Sequence, residues 1–210
     1  MQIAIIGYGN MGSGIAKRAV VVGYSVVLAG RDLAAAKKAA ERVGALAATP
    51  AEAVAGAELV VLATPYAAAA NALAAAGDLN NRVLIDISNR NPLKADFSGL
   101  TIGQTTSAGE EIAKLARGAR VVKAFNTVSA PIFGEGPDLG GRTVPVFYAG
   151  DDAAAKESVR LFAETLGFAT IDAGGLVNAR MLEPLGMLNI TLGYALGGGT
   201  STPRAGTSCR

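Results

Sequence analysis

Short apolar runs alternate along the chain with longer segments in which apolar residues recur every three or four positions. Glycine, proline or small polar residues bound each short run, and this pattern predicts buried strands separated by amphipathic helices. The predicted strands are, in order, QIAIIG, YSVVLAG, ELVVLAT, RVLIDIS, RVVKAF, VPVFYAG and FATIDAG. Strands that alternate with helices favour a parallel sheet covered by helices on both faces. We therefore predict an α/β protein with a doubly wound, mostly parallel sheet of the Rossmann type.

The helical segments have ends that the sequence marks clearly. Asp32 precedes one helix as an N-cap and Gly44 closes it, and Pro50 opens the short helix that follows. The predicted helices are, in order, MGSGIAKRAVVVG, DLAAAKKAAERVG, TPAEAVAGA, PYAAAANALAAAG, residues near Ala108–Arg117, DDAAAKESVRLFAETLG and roughly Leu176–Leu196. The stretch APIFGEGPDLGGRT is rich in glycine and proline and is predicted to be a loop. The last residues, GGGTSTPRAGTSCR, lack periodicity and are predicted to be a disordered tail.

Composition narrows the function before any motif is considered. Half of the 210 residues are hydrophobic, which is enough for a sizeable core. The net charge is +2, the basic residues are dispersed, and no apolar run has the length of a membrane span, so neither nucleic acid nor a membrane is expected as a partner. The chain has no histidine, which excludes Ser-His-Asp triads and His-ligated metals. The single cysteine, Cys209, and the lack of a charged leader after Met1 favour a cytoplasmic location.

A glycine-rich loop directly follows the first predicted strand. The segment GYGNMG, from Gly7 to Gly12, has the G-x-G-x-x-G pattern between a strand and a helix, the context that this motif requires. Gly7 permits a tight turn, Gly9 lets the backbone approach a pyrophosphate, and Gly12 allows close packing of helix and strand. The N-terminus of the helix then presents free N–H groups to the phosphates. The motif predicts a dinucleotide-binding site.

The end of the second predicted strand distinguishes between the two nicotinamide dinucleotides. Enzymes that use NAD carry an acidic residue there, which binds the ribose hydroxyls. In this chain Gly30 leaves space where that acid would stand, and Arg31 can bind a 2′-phosphate. Asp32 follows, but a helix begins immediately after it, which favours a role as N-cap. The sequence therefore favours NADP.

Polar residues follow three further predicted strands, at the edge where ligands of parallel sheets bind. They lie in TPY after the third strand, SNRN after the fourth and FNT after the fifth. Lys123, inside the fifth strand, either pairs with a carboxylate or extends outward to solvent. The predicted cofactor-binding residues are Gly7, Tyr8, Gly9, Asn10, Met11, Gly12, Gly30, Arg31, Thr64, Pro65, Tyr66, Ser88, Asn89, Asn126 and Thr127.

Six segments, taken in order, resemble one family. They are IGYGNMGSGIA, AGRD, ATPY, KAFNT, AGDD and DAGGLVNARMLEPLGML. Together they resemble the NADPH-dependent F420 reductases, also called F420H2:NADP oxidoreductases, and especially the bacterial branch described as predicted dinucleotide-binding oxidoreductases. The likeness runs from the first strand to about Gly193, and the DAG…NAR junction is its most specific part.

The resemblance implies an enzyme, usually dimeric, that transfers a hydride between NADP(H) and a small-molecule acceptor. The acceptor would be the deazaflavin F420, or a flavin such as FMN or FAD. The implied organisation is an NADP-binding Rossmann domain over residues 1–172, a C-terminal helical portion over 173–196 and a tail over 197–210. Asn126, Thr127 and Ala130 would line the nicotinamide and acceptor site. Archaeal members carry a histidine at the position of Asn126.

Hydride transfer between stacked rings depends mainly on proximity and orientation, so we expect no dedicated catalytic acid or base and no metal. Two alternatives remain open. An NADPH-dependent carbonyl or imine reductase would need a proton donor, for which Tyr66, Tyr148 and Lys123 are candidates. A non-catalytic NADP-sensing module would act through protein contacts of the last helix. The polar segment Arg90–Glu111 is either a substrate-binding loop or an ordinary connector.

Overall fold

The computed structural model describes residues 1–89 and 105–195. The strands are β1 (Gln2–Ile6), β2 (Ser25–Ala29), β3 (Leu46–Ala48), β4 (Leu59–Leu62), β5 (Val83–Asp86), β6 (Arg120–Ala124), β7 (Pro145–Gly150) and β8 (Ala169–Asp172). The helices are α1 (Asn10–Val21), α2 (Leu33–Val43), α3 (Pro50–Ala55), α4 (Tyr66–Ala76), α5 (Ala108–Leu115), α6 (Ala130–Glu135), α7 (Ala153–Thr165) and α8 (Ala179–Ile190). The predicted tail, and the Arg90–Glu111 segment up to residue 104, lie outside the described residues.

The strands form one sheet in the order β3-β2-β1-β4-β5-β6-β7-β8. All neighbouring strands are parallel except β6 and β7, which pair antiparallel. The strand order reverses between β1 and β4, the position at which doubly wound sheets open a crevice for a ligand. The prediction of a doubly wound, mostly parallel α/β fold is therefore confirmed.

Three local predictions differ from the structure. The edge strand β3 was not predicted, because it has only three residues and two of them are alanine. Helix α6 lies in the stretch predicted to be a loop, where Pro131 takes a position in the first helical turn. The predicted last helix is helical from Leu176 to Ala195, but its helix type changes: a 3₁₀ turn (Leu176–Asn178) precedes α8, Pro184 lies inside α8, and a π-helical turn (Thr191–Ala195) follows it.

The helix ends follow the expected capping chemistry. The Asp32 carboxylate accepts hydrogen bonds from the backbone N–H groups of Ala34 and Ala35, and Gly44 closes α2 in the left-handed conformation. Thr49 and Glu52 form a reciprocal capping box at the start of α3. These contacts use residues that are close in sequence, and for that reason the boundaries of α2 and α3 were predictable.

The sheet is buried on both faces, which explains its continuous apolar strands. Alternate residues of β1 face opposite sides: Ile3 and Ile5 join one core cluster, and Ala4 and Ile6 join the other. Helices α1, α2, α6 and α7 cover the first side, and α3, α4 and α5 cover the second. This two-sided core fixes the carboxyl ends of the parallel strands at a common edge.

Strand β6 ends in an unusual backbone turn. Phe125 has a φ of 60°, a conformation that non-glycine residues seldom adopt. Its ring is fully buried and lies within 5.9–6.0 Å of the rings of Phe133, Phe162 and Phe168, measured between centroids. This aromatic cluster holds the strained turn, and the turn moves Asn126 and Thr127 out of the strand.

Candidate active site

The glycine loop after β1 has the geometry that its motif predicts. Gly7 has a φ of 119°, and a Cβ atom there would lie 2.3 Å from the carbonyl oxygen of Ala63. A Cβ at Gly12 would lie 1.9 Å from the carbonyl oxygen of Gly7, so α1 packs directly on the turn. Gly9 differs from both, because it is exposed and a Cβ there would meet no protein atom within 4 Å. Gly7 and Gly12 thus shape the turn, whereas Gly9 leaves its outer surface open to a ligand.

The N-terminus of α1 is suited to a phosphate. Gly9 is its N-cap and supplies no side chain, so no capping side chain binds the first N–H groups of the helix. The Ser13 hydroxyl donates a hydrogen bond to the carbonyl of Tyr8 at 2.9 Å, which fixes the loop from below. Open N–H groups at a helix end and a glycine that carries no Cβ are the features that a pyrophosphate requires.

The end of β2 holds three residues with separate tasks. Asp32 caps α2, as predicted, and Arg31 is exposed. The expectation that Gly30 leaves an empty space is wrong, because the ring of Tyr8 occupies that space. A Cβ at Gly30 would lie 2.4 Å from Cε1 of Tyr8 and 2.9 Å from its Cδ1. The loop after β1 and the end of β2 are therefore in direct contact.

Hydroxyl groups without a described partner lie at the ends of β4, β5 and β6. Within the part of the chain that the structure describes, the Oγ1 atoms of Thr64 and Thr127 and the Oγ of Ser88 are buried and have no hydrogen-bond partner. Pro65 is the N-cap of α4 and Tyr66 is its first residue. Buried polar atoms are normally hydrogen-bonded, so three such hydroxyls on neighbouring strands indicate a place where a polar ligand binds.

Asn126 joins the end of β6 to its neighbours. Its Nδ2 donates to Oδ1 of Asn89 at 2.9 Å and to the carbonyl of Leu182 on α8 at 2.8 Å. Asn89 in turn donates from Nδ2 to the carbonyl of Asn126 at 3.1 Å. The Asn126 side chain is only 5% exposed, and its Oδ1 has no partner among the described residues. Asn126 is therefore fixed by its amide nitrogen and keeps one free acceptor.

A buried ion cluster lies beneath these strand ends. The ammonium of Lys123 is 2.8 Å from Oδ2 of Asp86 and 2.9 Å from Oε1 of Glu183, and it also donates to the carbonyl of Ser88. Lys123 and Asp86 have no exposed surface. The carboxylate of Glu183 also accepts from the backbone N–H groups of Ala108 and Gly109, the first residues of α5. The alternative in which Lys123 pairs with a carboxylate is thus the observed one.

Helix α8 covers the ends of β5 and β6. A Cβ at Gly186 would lie 2.6 Å from the carbonyl oxygen of Asn126, so the helix backbone rests on the end of β6. Arg180 binds Glu110 on α5 through two hydrogen bonds of 2.8 and 2.6 Å. The Arg180 guanidinium and the Ser107 hydroxyl hold the pKa of the Glu110 carboxyl below its usual value. Two ionic contacts thus attach α8 to α5 and the sheet.

Most of the predicted residues fall into two groups. The glycine loop, Gly30 and Arg31 lie around β1 and β2, whereas Ser88, Asn89, Asn126 and Thr127 lie around β5 and β6. Thr64, Pro65 and Tyr66 follow β4, the strand between the two groups. Ala130 begins α6, and its carbonyl oxygen lies 3.4 Å from the position of a Cβ at Gly14 on α1.

Four residues that lie beside the second group were not predicted as parts of the site. They are Asp86, Leu182, Glu183 and Gly186. The sequence could have indicated Asp86, because Asp86 and Lys123 are charged residues inside two apolar strands. In the structure the two positions pair in register. No spacing in the sequence indicated that the three residues of α8 lie here, because 56 positions separate Asn126 from Leu182.

The described residues contain neither a cluster of metal ligands nor a helix able to span a membrane. Over residues 1–89 and 105–195, no three acidic or cysteine side chains gather as metal ligands would. Among the helices described, none combines the length and apolar character needed to cross a bilayer.

The sheet order, the open glycine loop and the helix N-terminus beside it define a dinucleotide-binding protein of the Rossmann class. Comparison with known proteins gives the family. The family model described as "NADP oxidoreductase coenzyme F420-dependent" matches residues 2–90. The F420-dependent NADP reductase of Methanothermobacter thermautotrophicus is 35% identical, over 91% of this chain and 89% of the relative. The chain belongs to the F420-dependent NADP reductase family, and it is an oxidoreductase, as the resemblance implied.

Solved structures agree with this assignment. A crystal structure from Arthrobacter sp. FB24, assigned as an F420-dependent NADP reductase, has a TM-score of 0.85 and 33% identity, and the match covers 95% of this chain and 96% of that one. An imine reductase of Streptomyces aurantiacus has a TM-score of 0.68 and 25% identity. The match covers 94% of this chain but only 64% of the imine reductase, so about a third of that enzyme has no counterpart here.

Proposed function

We propose that this protein transfers a hydride between NADPH and the deazaflavin F420 at the carboxyl edge of its sheet. The observation that carries the proposal is the fit of that edge to a dinucleotide. Its glycine loop is open at Gly9, and three buried hydroxyls without described partners follow on β4, β5 and β6. Family membership supports F420 as the acceptor, because the methanogen relative is named for it. The relatives compared above give no support for FMN or FAD.

The roles of the residues follow from their positions. The N–H groups after Gly9 would bind the pyrophosphate, and Arg31 would bind the 2′-phosphate. The hydroxyls of Thr64, Ser88 and Thr127 and the Oδ1 of Asn126 are suited to a carboxamide, which both donates and accepts hydrogen bonds. When bound, NADPH supplies a hydride that, with one proton, converts F420 to F420H2 and leaves NADP⁺. The chain itself would contribute binding, orientation and exclusion of water.

A dedicated general acid is not part of this proposal. The chain has no histidine, and the ammonium of Lys123 is already held by two carboxylates and a carbonyl, with no exposed surface. Tyr148 pairs with Ala124 at the end of β6 but is 6% exposed and belongs to the core cluster. Tyr66 is therefore the candidate that we test, since it begins α4 beside Thr64. We expect Tyr66→Phe to keep turnover within about tenfold, whereas loss of a positioned proton donor costs about 10²–10⁴-fold. A loss of that larger size would favour the carbonyl or imine reductase alternative.

The test is the oxidation of NADPH by the purified protein, followed by stopped-flow absorbance with F420, FMN, FAD, a quinone and a cyclic imine offered separately. We expect rapid reduction of F420 alone, with a raised KM for NADPH in Arg31→Ala. Reduction of the imine but not of F420 would contradict the proposal and support an imine reductase. Tight binding of NADPH without reduction of any acceptor would leave the sensing module as the better explanation.

We also propose that the protein is a homodimer joined through α8, with residues 173–195 as a helical portion distinct from the NADP-binding domain. Exposed apolar side chains recur on that segment at helical spacing: Val177, Met181, Leu188 and Leu192 are each at least 36% exposed. Light scattering should give twice the chain mass for the wild-type protein and the chain mass for Met181→Lys combined with Leu188→Lys. A monomeric wild-type protein would refute this interface. The cytoplasmic location stays a prediction.

A further inference from the structure

The contact between Tyr8 and Gly30 lies where the dinucleotides are distinguished. The Tyr8 ring covers the end of β2 so closely that a Cβ at Gly30 would overlap it, at 2.4 Å from Cε1, 2.9 Å from Cδ1 and 3.5 Å from Cζ. Real Cβ atoms essentially never approach another heavy atom within 3.0 Å. Any side chain at position 30 therefore requires the Tyr8 ring to shift.

The backbone does not explain the glycine at this position. Gly30 is not among the glycines with a positive φ, so an L-residue could adopt its conformation. The ring is also not a freely moving surface group. Tyr8 is half-buried and packs against the core cluster. The structure thus gives one reason for Gly30, which is the space that Tyr8 fills.

This matters because an acidic side chain at the end of the second strand is how Rossmann proteins bind the ribose hydroxyls of NAD. The neighbouring acid has another role, since Oδ1 of Asp32 accepts from the backbone N–H groups of Ala34 and Ala35 and caps α2. The exposed Arg31 favours a phosphate instead.

We propose that Tyr8 is a second determinant of cofactor selectivity, because its ring excludes an acidic side chain from position 30. Selection against NAD(H) is then steric as well as electrostatic, and a change of preference requires both residues to be altered. The inference rests on the proposed use of NADPH. Its test measures cofactor binding alone, so the role of Tyr8 can be tested even if the protein binds NADPH but does not reduce F420.

The experiment compares four proteins: the wild type, Gly30→Asp, Tyr8→Ala with Gly30→Asp, and Tyr8→Phe with Gly30→Asp. Their affinities for NADH and NADPH are measured by nicotinamide fluorescence, and their folding is checked by thermal unfolding. We expect Gly30→Asp to weaken NADPH binding at least about tenfold without any gain for NADH. Tyr8→Ala with Gly30→Asp should bind NADH at least about tenfold more tightly than the wild type, the effect of one added charged hydrogen bond.

The phenylalanine variant is the matched control, because it keeps the ring and removes only the hydroxyl. It should behave as Gly30→Asp alone. An equal gain for NADH in Gly30→Asp alone would overturn the proposal, since the ring would then be no obstacle. No gain in the alanine double variant would also overturn it. If Gly30→Asp does not fold, recovery of folding by Tyr8→Ala supports the steric contact, and failure of the double variant to fold refutes it. Wild-type protein that binds no NADPH would refute the proposed function together with this inference.

Discussion

The two halves of the site are built in opposite ways. Around β1 and β2 the surface is shaped by missing side chains, since Gly12 and Gly30 each lie so close to a neighbour that no Cβ fits. Around β5 and β6 it is shaped by buried polar side chains, in which Lys123, Asp86, Glu183 and Asn126 connect the sheet to α8. The first half depends on close approaches of the backbone and of the Tyr8 ring to glycines. The second depends on charged and polar groups buried between the sheet and α8.

Because of this difference, substitutions in the two halves should affect ligand binding and protein stability differently. In the glycine half, the open face at Gly9 makes few internal contacts, so a change there affects a ligand before it affects the fold. In the polar half, Asn126, which we propose faces the ligand, also attaches α8 through the carbonyl of Leu182. A substitution in the second half is therefore expected to change stability and activity together.

The largest effect is expected at Lys123. Lys123→Met would leave Asp86 and Glu183 buried without their shared cation, which should lower the free energy of unfolding by about 3–5 kcal/mol. Denaturant unfolding followed by circular dichroism measures the loss. Because this loss of stability would weaken the fold itself, the activity of a Lys123 variant would be a poor test for a general acid.

A second variant separates charge from packing at the same place. Lys123→Met combined with Asp86→Leu removes one carboxylate with the cation and leaves Glu183 to the N–H groups of α5. We expect it to be more stable than Lys123→Met alone. If the two substitutions instead destabilise additively, the three charges do not act as a cluster.

Within the glycine half, the variants Gly12→Ala and Gly9→Ala test whether a glycine that shapes the fold can be distinguished from one that leaves room for a ligand. Gly12→Ala forces a Cβ against the carbonyl of Gly7, so it should cost about 3 kcal/mol and prevent NADPH binding. Gly9→Ala meets no protein atom and should change stability by no more than about 0.5 kcal/mol. It should still weaken NADPH binding about tenfold, equivalent to about 1.4 kcal/mol, because its methyl group occupies the phosphate's approach.

Thermal unfolding and NADPH titration of both glycine variants give the two readings. Unchanged NADPH affinity in Gly9→Ala would mean that the open face is not the phosphate site. A fully stable Gly12→Ala would mean that the turn can relax and does not require glycine.

The smallest effect is expected at the contact between α5 and α8. The pKa of Glu110 is lowered in the folded protein, chiefly by Arg180, so its contribution is present above the pKa of the unfolded chain and is lost as the pH falls through the folded value. Glu110→Gln should cost no more than about 1 kcal/mol at pH 7. Wild type and variant should converge in stability as the pH falls through the lowered pKa of Glu110.

The matched control for this contact is Glu157→Gln. Glu157 also binds an arginine and also has a lowered pKa, but its pair with Arg160 lies within α7 and joins no two elements. Urea unfolding at several pH values should show no measurable change for it. A Glu110 variant that matches this control throughout would show that the contact does not stabilise α8.

The comparison also explains how far the sequence could predict the molecule. The order of strands and helices, the cap at Asp32 and the turn at Gly7–Gly12 depend on neighbours in the chain, and each was predictable. The Tyr8 ring over Gly30 joins residues 22 positions apart, and no periodicity reports such a contact. Leu182, Glu183 and Gly186 lie in a segment that carries the family resemblance, but no spacing in it reports their contacts with Lys123, Asn126 and α5, which required the structure.

The most direct test of the central claim is to follow the hydrogen itself. NADPH deuterated at one or the other position of nicotinamide C4 is mixed with F420 and the protein, and the F420H2 formed is analysed by mass spectrometry. Direct transfer within one site predicts that one of the two labels appears fully in F420H2 and that the other stays in NADP⁺. Unlabelled F420H2 from both forms of NADPH, or consumption of NADPH without formation of F420H2, would contradict the account.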